Sequence, residues 1–222
     1  CTIDVAADKF EGPNGNQNAA ADQFNWTYDG TAPAGFSVGN VTTTGGTVVA
    51  NYWNSTNSSI DIIVPIANDS SLEGGTLQFK VKNATSSYAN LGSAYTIQNA
   101  DIGNSSFSRN VADTVFEGVT GVFGEDETIT FNADITDTYG NGPTEGTASG
   151  TTLMIVETKP TMTIGSTTSG VTNGSTTNDA SIDLTFTSSK STSDFVHADI
   201  TVNNGTLGCL LYTSPSPRDA IP

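Results

Sequence analysis

The sequence predicts an all-β protein built of antiparallel β-sandwiches in tandem. Three observations carry this. Apolar and polar residues alternate with period two in run after run, the mark of a strand with one buried face. The runs are short and bounded by Gly, Asn, Asp or Ser, the residues that close turns. The 3.6-residue periodicity of amphipathic helices is nearly absent.

Taken in order, Ile3 and Val5 alternate with polar residues, and Phe24, Trp26 and Tyr28 alternate with Gln23, Asn25 and Thr27. This second stripe places Trp26 in a core. Ile60, Ile62, Val64 and Ile66 form the next stripe. Leu77, Phe79 and Val81 alternate with Gln78, Lys80 and Lys82. Ile129, Phe131, Ala133 and Ile135 alternate with Thr130, Asn132, Asp134 and Thr136. Ile182, Leu184 and Phe186 repeat the pattern, followed by Ile200 and Val202. One short helical turn is expected near Ala112–Glu117.

The chain has 222 residues, with 23 acidic against 7 basic side chains and a net charge of -16. Such an excess excludes sequence-independent nucleic-acid binding, which needs clustered Lys and Arg. It also opposes docking on anionic lipid. No apolar run has the roughly 18 residues that a membrane-spanning helix needs, so no membrane insertion is expected.

Two places read as domain junctions. Trp26-Thr-Tyr-Asp-Gly-Thr-Ala-Pro33 and Leu153-Met-Ile-Val-Glu-Thr-Lys-Pro160 each run from a strand through an acid to a proline. Proline ends the ladder, and it pushes its predecessor into an extended conformation. The expected organisation is residues 1–29 as the C-terminal part of one domain, 30–158 as a complete sandwich and 159–208 as the N-terminal part of another. The opening Cys1-Thr-Ile-Asp-Val, with neither initiator Met nor signal peptide, reads as the inside of a longer protein.

Several stretches, by their order and spacing, give the chain a family likeness. They are Phe10-Glu-Gly-Pro-Asn-Gly-Asn-Gln-Asn with Gln23 to Pro33, Ile135-Thr-Asp-Thr-Tyr-Gly-Asn141, Thr147 to Leu153, Asp179 to Phe186 and Asp199 to Leu207. Residues 1–208 resemble the bacterial immunoglobulin-like repeats of large secreted adhesins and surface proteins. The resemblance implies immunoglobulin-like sandwiches, one complete and two partial, a secreted or cell-surface location, and neighbouring repeats of the same chain as partners. A distal host or surface ligand, glycan or protein, would be held by another module. Glu11 stands where the family's loop has Asp, and Glu157 where its second linker has Asp. Residues Cys209 to Asp219 resemble the conceptual translation of a sequencing-library adapter, so residues 209–222 are set apart as an artefactual tail. With Cys1 at the start and Cys209 in that tail, no disulfide framework is expected.

No catalytic motif is present, and His197 is the only histidine. Calcium, which takes six to eight oxygens from loop carboxylates and carbonyls, is the ligand expected. The candidates are Asp29 in the first linker, Glu157 in the second, Glu125, Asp126 and Glu127 before a strand, and Asp137. Asp29 is expected to meet either the Glu125–Glu127 group or Asp137. Asp137 also reads as the former of a tight turn with Gly140 and Asn141. The function expected is that of a non-enzymatic spacer, stiffened by calcium at its junctions. The alternative is an accessory module of a secreted glycan-active enzyme, touching sugar through Tyr52 and Trp53.

Overall fold

The computed structural model describes residues 1–209; the rest of the adapter-like tail lies outside the described residues. The chain divides into two compact units, Cys1–Glu157 and the residues from Thr158 on. The protein is all-β: strands in several sheets, with a single α-helical turn among the described residues.

The first unit holds twelve strands. They are β1 (Thr2–Ile3), β2 (Phe24–Asn25), β3 (Val41–Thr44), β4 (Tyr52–Trp53), β5 (Ser59–Val64), β6 (Thr76–Lys82), β7 (Ala89–Asn90), β8 (Tyr95–Thr96), β9 (Phe107–Ala112), β10 (Thr128–Thr136), β11 (Thr144–Glu145) and β12 (Thr152–Ile155). One antiparallel sheet runs β3-β5-β9. A larger one runs β4-β12-β10-β6-β7, with β8 also on β6 and β11 on β10. Its pairs are antiparallel except β12 with β4.

The alternation read from the sequence is the reason these strands form. In β10, Ile129, Phe131, Ala133 and Ile135 are buried while Thr130, Asp134 and Thr136 lie on the other face. Register with β6 sets Phe131 against Val81, Ala133 against Phe79 and Ile135 against Leu77. Ile60, Ile62 and Val64 of β5 enter the same core from the smaller sheet. The expected helical turn is α1, Asp113–Phe116, which drives Phe116 into this core. There Phe116 meets Trp53 edge-on at 5.0 Å, with Phe123 and Phe131 at 5.3 and 5.8 Å. Gly45 and Gly46 turn the chain after β3 at φ 76° and 57°, and a Cβ on Gly46 would strike the Thr56 carbonyl.

Residues 1–29 form a separate ribbon within this unit. Thr2 pairs with Asn25 and Ile3 with Phe24, and the loop between closes on Asn18, whose Oδ1 accepts the Lys9 and Phe10 N–H groups. The core position expected for Trp26 is corrected here. Its side chain is 46% exposed and that of Phe24 66%, with only each other as ring partners. Alternation announces an apolar face, but the second layer that would cover it is not among the described residues.

The second unit is a two-stranded ribbon of β13 (Met162–Ser166) and β14 (Leu184–Ser188), with Ile164 opposite Phe186 and Phe186 against Phe195 at 5.6 Å. The strand expected at Ile200–Val202 has not formed. A 3₁₀ turn, His197–Asp199, precedes it, and a strand without a ladder partner has no hydrogen bonds to hold it.

Candidate functional site

The chemistry-bearing residues of the first unit gather at the two ends of β10. At its C-terminal end the strand runs into Asp137, which is buried (4% exposed). Asp137 Oδ1 accepts the backbone N–H groups of Tyr139 and Asn141 at 2.9 and 2.7 Å, and Oδ2 accepts from Asn141 Nδ2 at 2.8 Å. Gly140, at φ 87°, allows the chain to fold back over the carboxylate. Burial alone would push the carboxyl's pKa up; the donors from Asn141, Tyr139 and Gly140 together outweigh it and hold the group below the ordinary aspartate range.

This turn grips the incoming chain. Asn141 Nδ2 also donates to the Asp29 carbonyl at 3.3 Å, and Thr144 Oγ1 donates to the Pro33 carbonyl at 2.8 Å. The Asp29 carboxylate caps its own turn by accepting the Thr31 N–H at 2.9 Å. Farther on, Thr147 N–H bonds the Phe36 carbonyl and Val38 N–H bonds the Thr147 carbonyl. The segment from Asp29 to Val38 is thus strapped down at both margins.

At the N-terminal end of β10 the arrangement is anionic. Trp53 is fully buried, and its Nε1–H is shared between Glu117 Oε1 at 3.2 Å and Glu157 Oε1 at 3.3 Å. Glu125 Oε2 accepts the Glu157 N–H at 2.9 Å. Asp126 N–H bonds the Ile155 carbonyl and Ile155 N–H the Glu127 carbonyl, so the loop before β10 is laced to the end of β12. Desolvation first, then the negative charge of Glu157, raises the pKa of Glu117 above the ordinary glutamate range.

The structure therefore sorts the expected residues into two groups. Asp29 joins Asp137, not Glu125, Asp126 or Glu127. Glu157 joins Glu125, with Asp126 and Glu127 contributing backbone to the same end. Glu117 was missed because it lies 40 residues from Glu157, in a helical turn, with no motif to single it out. The sugar-stacking role of Trp53 is corrected: a ring with no exposed face offers none to a sugar, and the 41% exposed Tyr52 stands without it.

Two other features lie apart from these carboxylates. On the outer face of the larger sheet Lys80 Nζ lies 2.8 Å from Asp134 Oδ2 and 3.8 Å from Glu145 Oε1, beside Tyr88. Near Pro33 a cleft of about 300 Å³ is walled by apolar groups such as Phe36, Ile66 and Leu72.

The chain has no match among protein-family models, curated proteins or solved structures. The Asp137 end consists of N–H donors satisfied by a carboxylate and by carbonyls, and it restrains backbone. The Glu157 end sets two carboxylates on one indole N–H, and burial with their mutual repulsion favours the protonated form of Glu117. Among the described residues no three His, Cys, Asp or Glu side chains converge as a group that would hold a metal unaided.

Proposed function

We propose that the chain is a run of structural spacer repeats from a large bacterial extracellular adhesin or surface protein, without enzymatic activity. The repeats are immunoglobulin-like β-sandwiches whose boundaries fall at residues 1–29, 30–158 and 159–208. One observation carries the reading: the linker from Asp29 is gripped at one end of β10, and the chain leaves through Glu157 at the other. Nine residues at ~3.3 Å each separate those ends by about 30 Å. A sandwich entered at one pole and left at the opposite pole adds its full length to the polypeptide, which suits a stalk. The extracellular location and the tandem arrangement rest on the family resemblance of the sequence.

Calcium fits the exit pole better than the entry pole. The Asp137 carboxylate accepts three N–H donors, whereas Glu117 and Glu157 share a single indole N–H and repel each other, a repulsion that a divalent cation relieves. The following repeat would supply the remaining ligands.

Scattering tests this on the natural protein spanning several complete repeats. Its maximum dimension should grow in proportion to repeat number, and it should shorten or broaden its distribution when calcium is chelated. A compact particle whose dimension does not follow repeat number would overturn the spacer reading. An unchanged profile with chelator, or with Glu157→Gln, would remove calcium alone.

A further inference from the structure

The grip on the incoming chain is built on a chemically labile dipeptide. An asparagine followed by glycine sheds its side-chain ammonia readily, because glycine has no Cβ to keep the following backbone nitrogen from the side-chain carbonyl carbon. Four such pairs occur among the described residues: Asn14-Gly15, Asn141-Gly142, Asn173-Gly174 and Asn204-Gly205. Asn14, Asn173 and Asn204 are exposed, and among the described residues no acceptor holds their side-chain nitrogens. At Asn141-Gly142 the fold demands both residues. Gly142 sits at φ 111°, and a Cβ there would come within 2.9 Å of the Ile135 carbonyl oxygen and 3.0 Å of the Thr144 nitrogen. Asn141 Nδ2 donates both to Asp137 Oδ2 and to the Asp29 carbonyl, which the acceptor-only carboxylate of an aspartate cannot do. The labile pair is therefore imposed at the point where the chain enters the sandwich. It is also held there: the Asn141 N–H donates to Asp137 Oδ1, and the Asn141 carbonyl accepts the Asp137 N–H.

We propose that Asn141 is a deamidation site gated by this grip, and that its conversion releases the incoming chain irreversibly. Water takes the Gly142 amide proton, that nitrogen bonds to Asn141 Cγ, and the Cγ–Nδ2 bond breaks as Nδ2 gains a proton and leaves as ammonia. Water then opens the resulting five-membered imide at either carbonyl, leaving aspartate or isoaspartate at position 141. One water enters and one ammonia leaves, with no oxidant or reductant. Closing the ring turns the Asn141-Gly142 peptide and draws Nδ2 off both acceptors, so the intact grip resists the reaction and its local opening permits it. Afterwards a carboxylate stands where the amide stood. It faces Asp137 across a hydrogen-bond distance and has no N–H for the Asp29 carbonyl. The two like charges repel, and the grip does not re-form. The inference does not depend on the spacer reading, since the labile pair and its restraints lie within the sandwich and its entry segment.

The test is peptide mapping by mass spectrometry on the full chain held for weeks at neutral pH, native and in urea. Asn14, Asn173 and Asn204 serve as internal references. In the native protein the references should convert first, and Asn141 about tenfold or more slowly, through the protection that local structure confers. In urea the four rates should converge. Asp137→Ala removes the acceptor and should bring Asn141 up to the rate of the references, with the near-ultraviolet circular dichroism of the Trp53 cluster unchanged. Should that variant unfold, the comparison of native protein with urea decides alone. Asn141→Asp reproduces the product and should speed amide exchange at Tyr139 and Thr147 while leaving β6 as in the wild type. The proposal is overturned by native Asn141 converting as fast as the references, by an Asn141 rate unaltered in folded Asp137→Ala, or by wild-type exchange in Asn141→Asp.

Discussion

Trp53 concentrates more structural duty than any other side chain here. It is fully buried, rests on Phe116 and Phe123, and hands its one N–H to two carboxylates from distant parts of the chain. Trp53→Ala should destabilise the first unit by about 3–5 kcal/mol, read as a lowered denaturant midpoint at unchanged slope. Glu117 and Asp137 should respond to pH in opposite senses. The raised pKa of Glu117 means the folded state holds its proton more tightly, so its contribution is full at low pH and is lost as pH rises through the raised value. Glu117→Gln should therefore raise stability at neutral pH, with a gain that vanishes on acidification. Asp137, held low, contributes above the ordinary aspartate value of ~3.9 and loses that contribution as pH falls through its lowered one. Asp137→Asn should be destabilising at neutral pH and progressively less so in acid. Urea midpoints across the acid range decide both, and curves parallel to wild type would contradict either assignment.

At the scale of the element, β10 organises the first unit because both of its faces are used. Its inner face is the core; its outer face carries Asp134, which accepts Lys80 from β6 across the ladder. Both side chains are mostly buried, 15% and 19% exposed, so removing one leaves the other short of a partner. Lys80→Met should cost about 1–3 kcal/mol, and Lys80→Met with Asp134→Leu should recover most of it, since replacing both partners by apolar groups is nearly neutral. Additive losses in that double-mutant cycle would mean the pair is solvated and idle. The inner face of β10 was legible in the sequence because alternation over nine residues leaves one register that buries Ile129, Phe131, Ala133 and Ile135 together. The two-residue strands β4, β7, β8 and β11 were not legible: their residues pair because β6, β10 and β12 offer ladder partners, which no local pattern encodes. The same limit explains the site. Asp137, Gly140 and Asn141 stand together in the sequence and were read together, whereas Glu117 and Trp53 meet Glu157 only through the folded sheet. It explains the miss at Trp26 too, where the stripe was right and its cover lay elsewhere.

Across the whole molecule, order should be uneven. The sandwich buries a continuous core, while the ribbons at 1–29 and 159–208 hold few long-range hydrogen bonds and leave their apolar faces in water. Hydrogen exchange on dilute protein should show slow amides in β5, β6 and β10 and fast ones in β1, β2, β13 and β14. Uniform protection would contradict the division. Deleting residues 209–222 should leave the stability of the sandwich unchanged to within about 0.5 kcal/mol, the range of neutral surface changes.

The strapping of the incoming segment has a mechanical consequence. Ser37 pairs with Thr147 in parallel, and β4 pairs with β12 in parallel, so near each pole a stretch from early in the sandwich lies alongside a late one that runs the same way. Tension applied through Asp29 and Glu157 drags such neighbours past one another. Their hydrogen bonds are then loaded in shear and must fail together, whereas a hairpin pulled from its open end unzips one rung at a time. Single-molecule stretching along this axis should give a high, abrupt rupture force, followed by the release of the whole contour between the two linkers. Threonine 144, whose hydroxyl ties Pro33 to β11, sets where that load enters; Thr144→Val should lower the rupture force while leaving the fold intact.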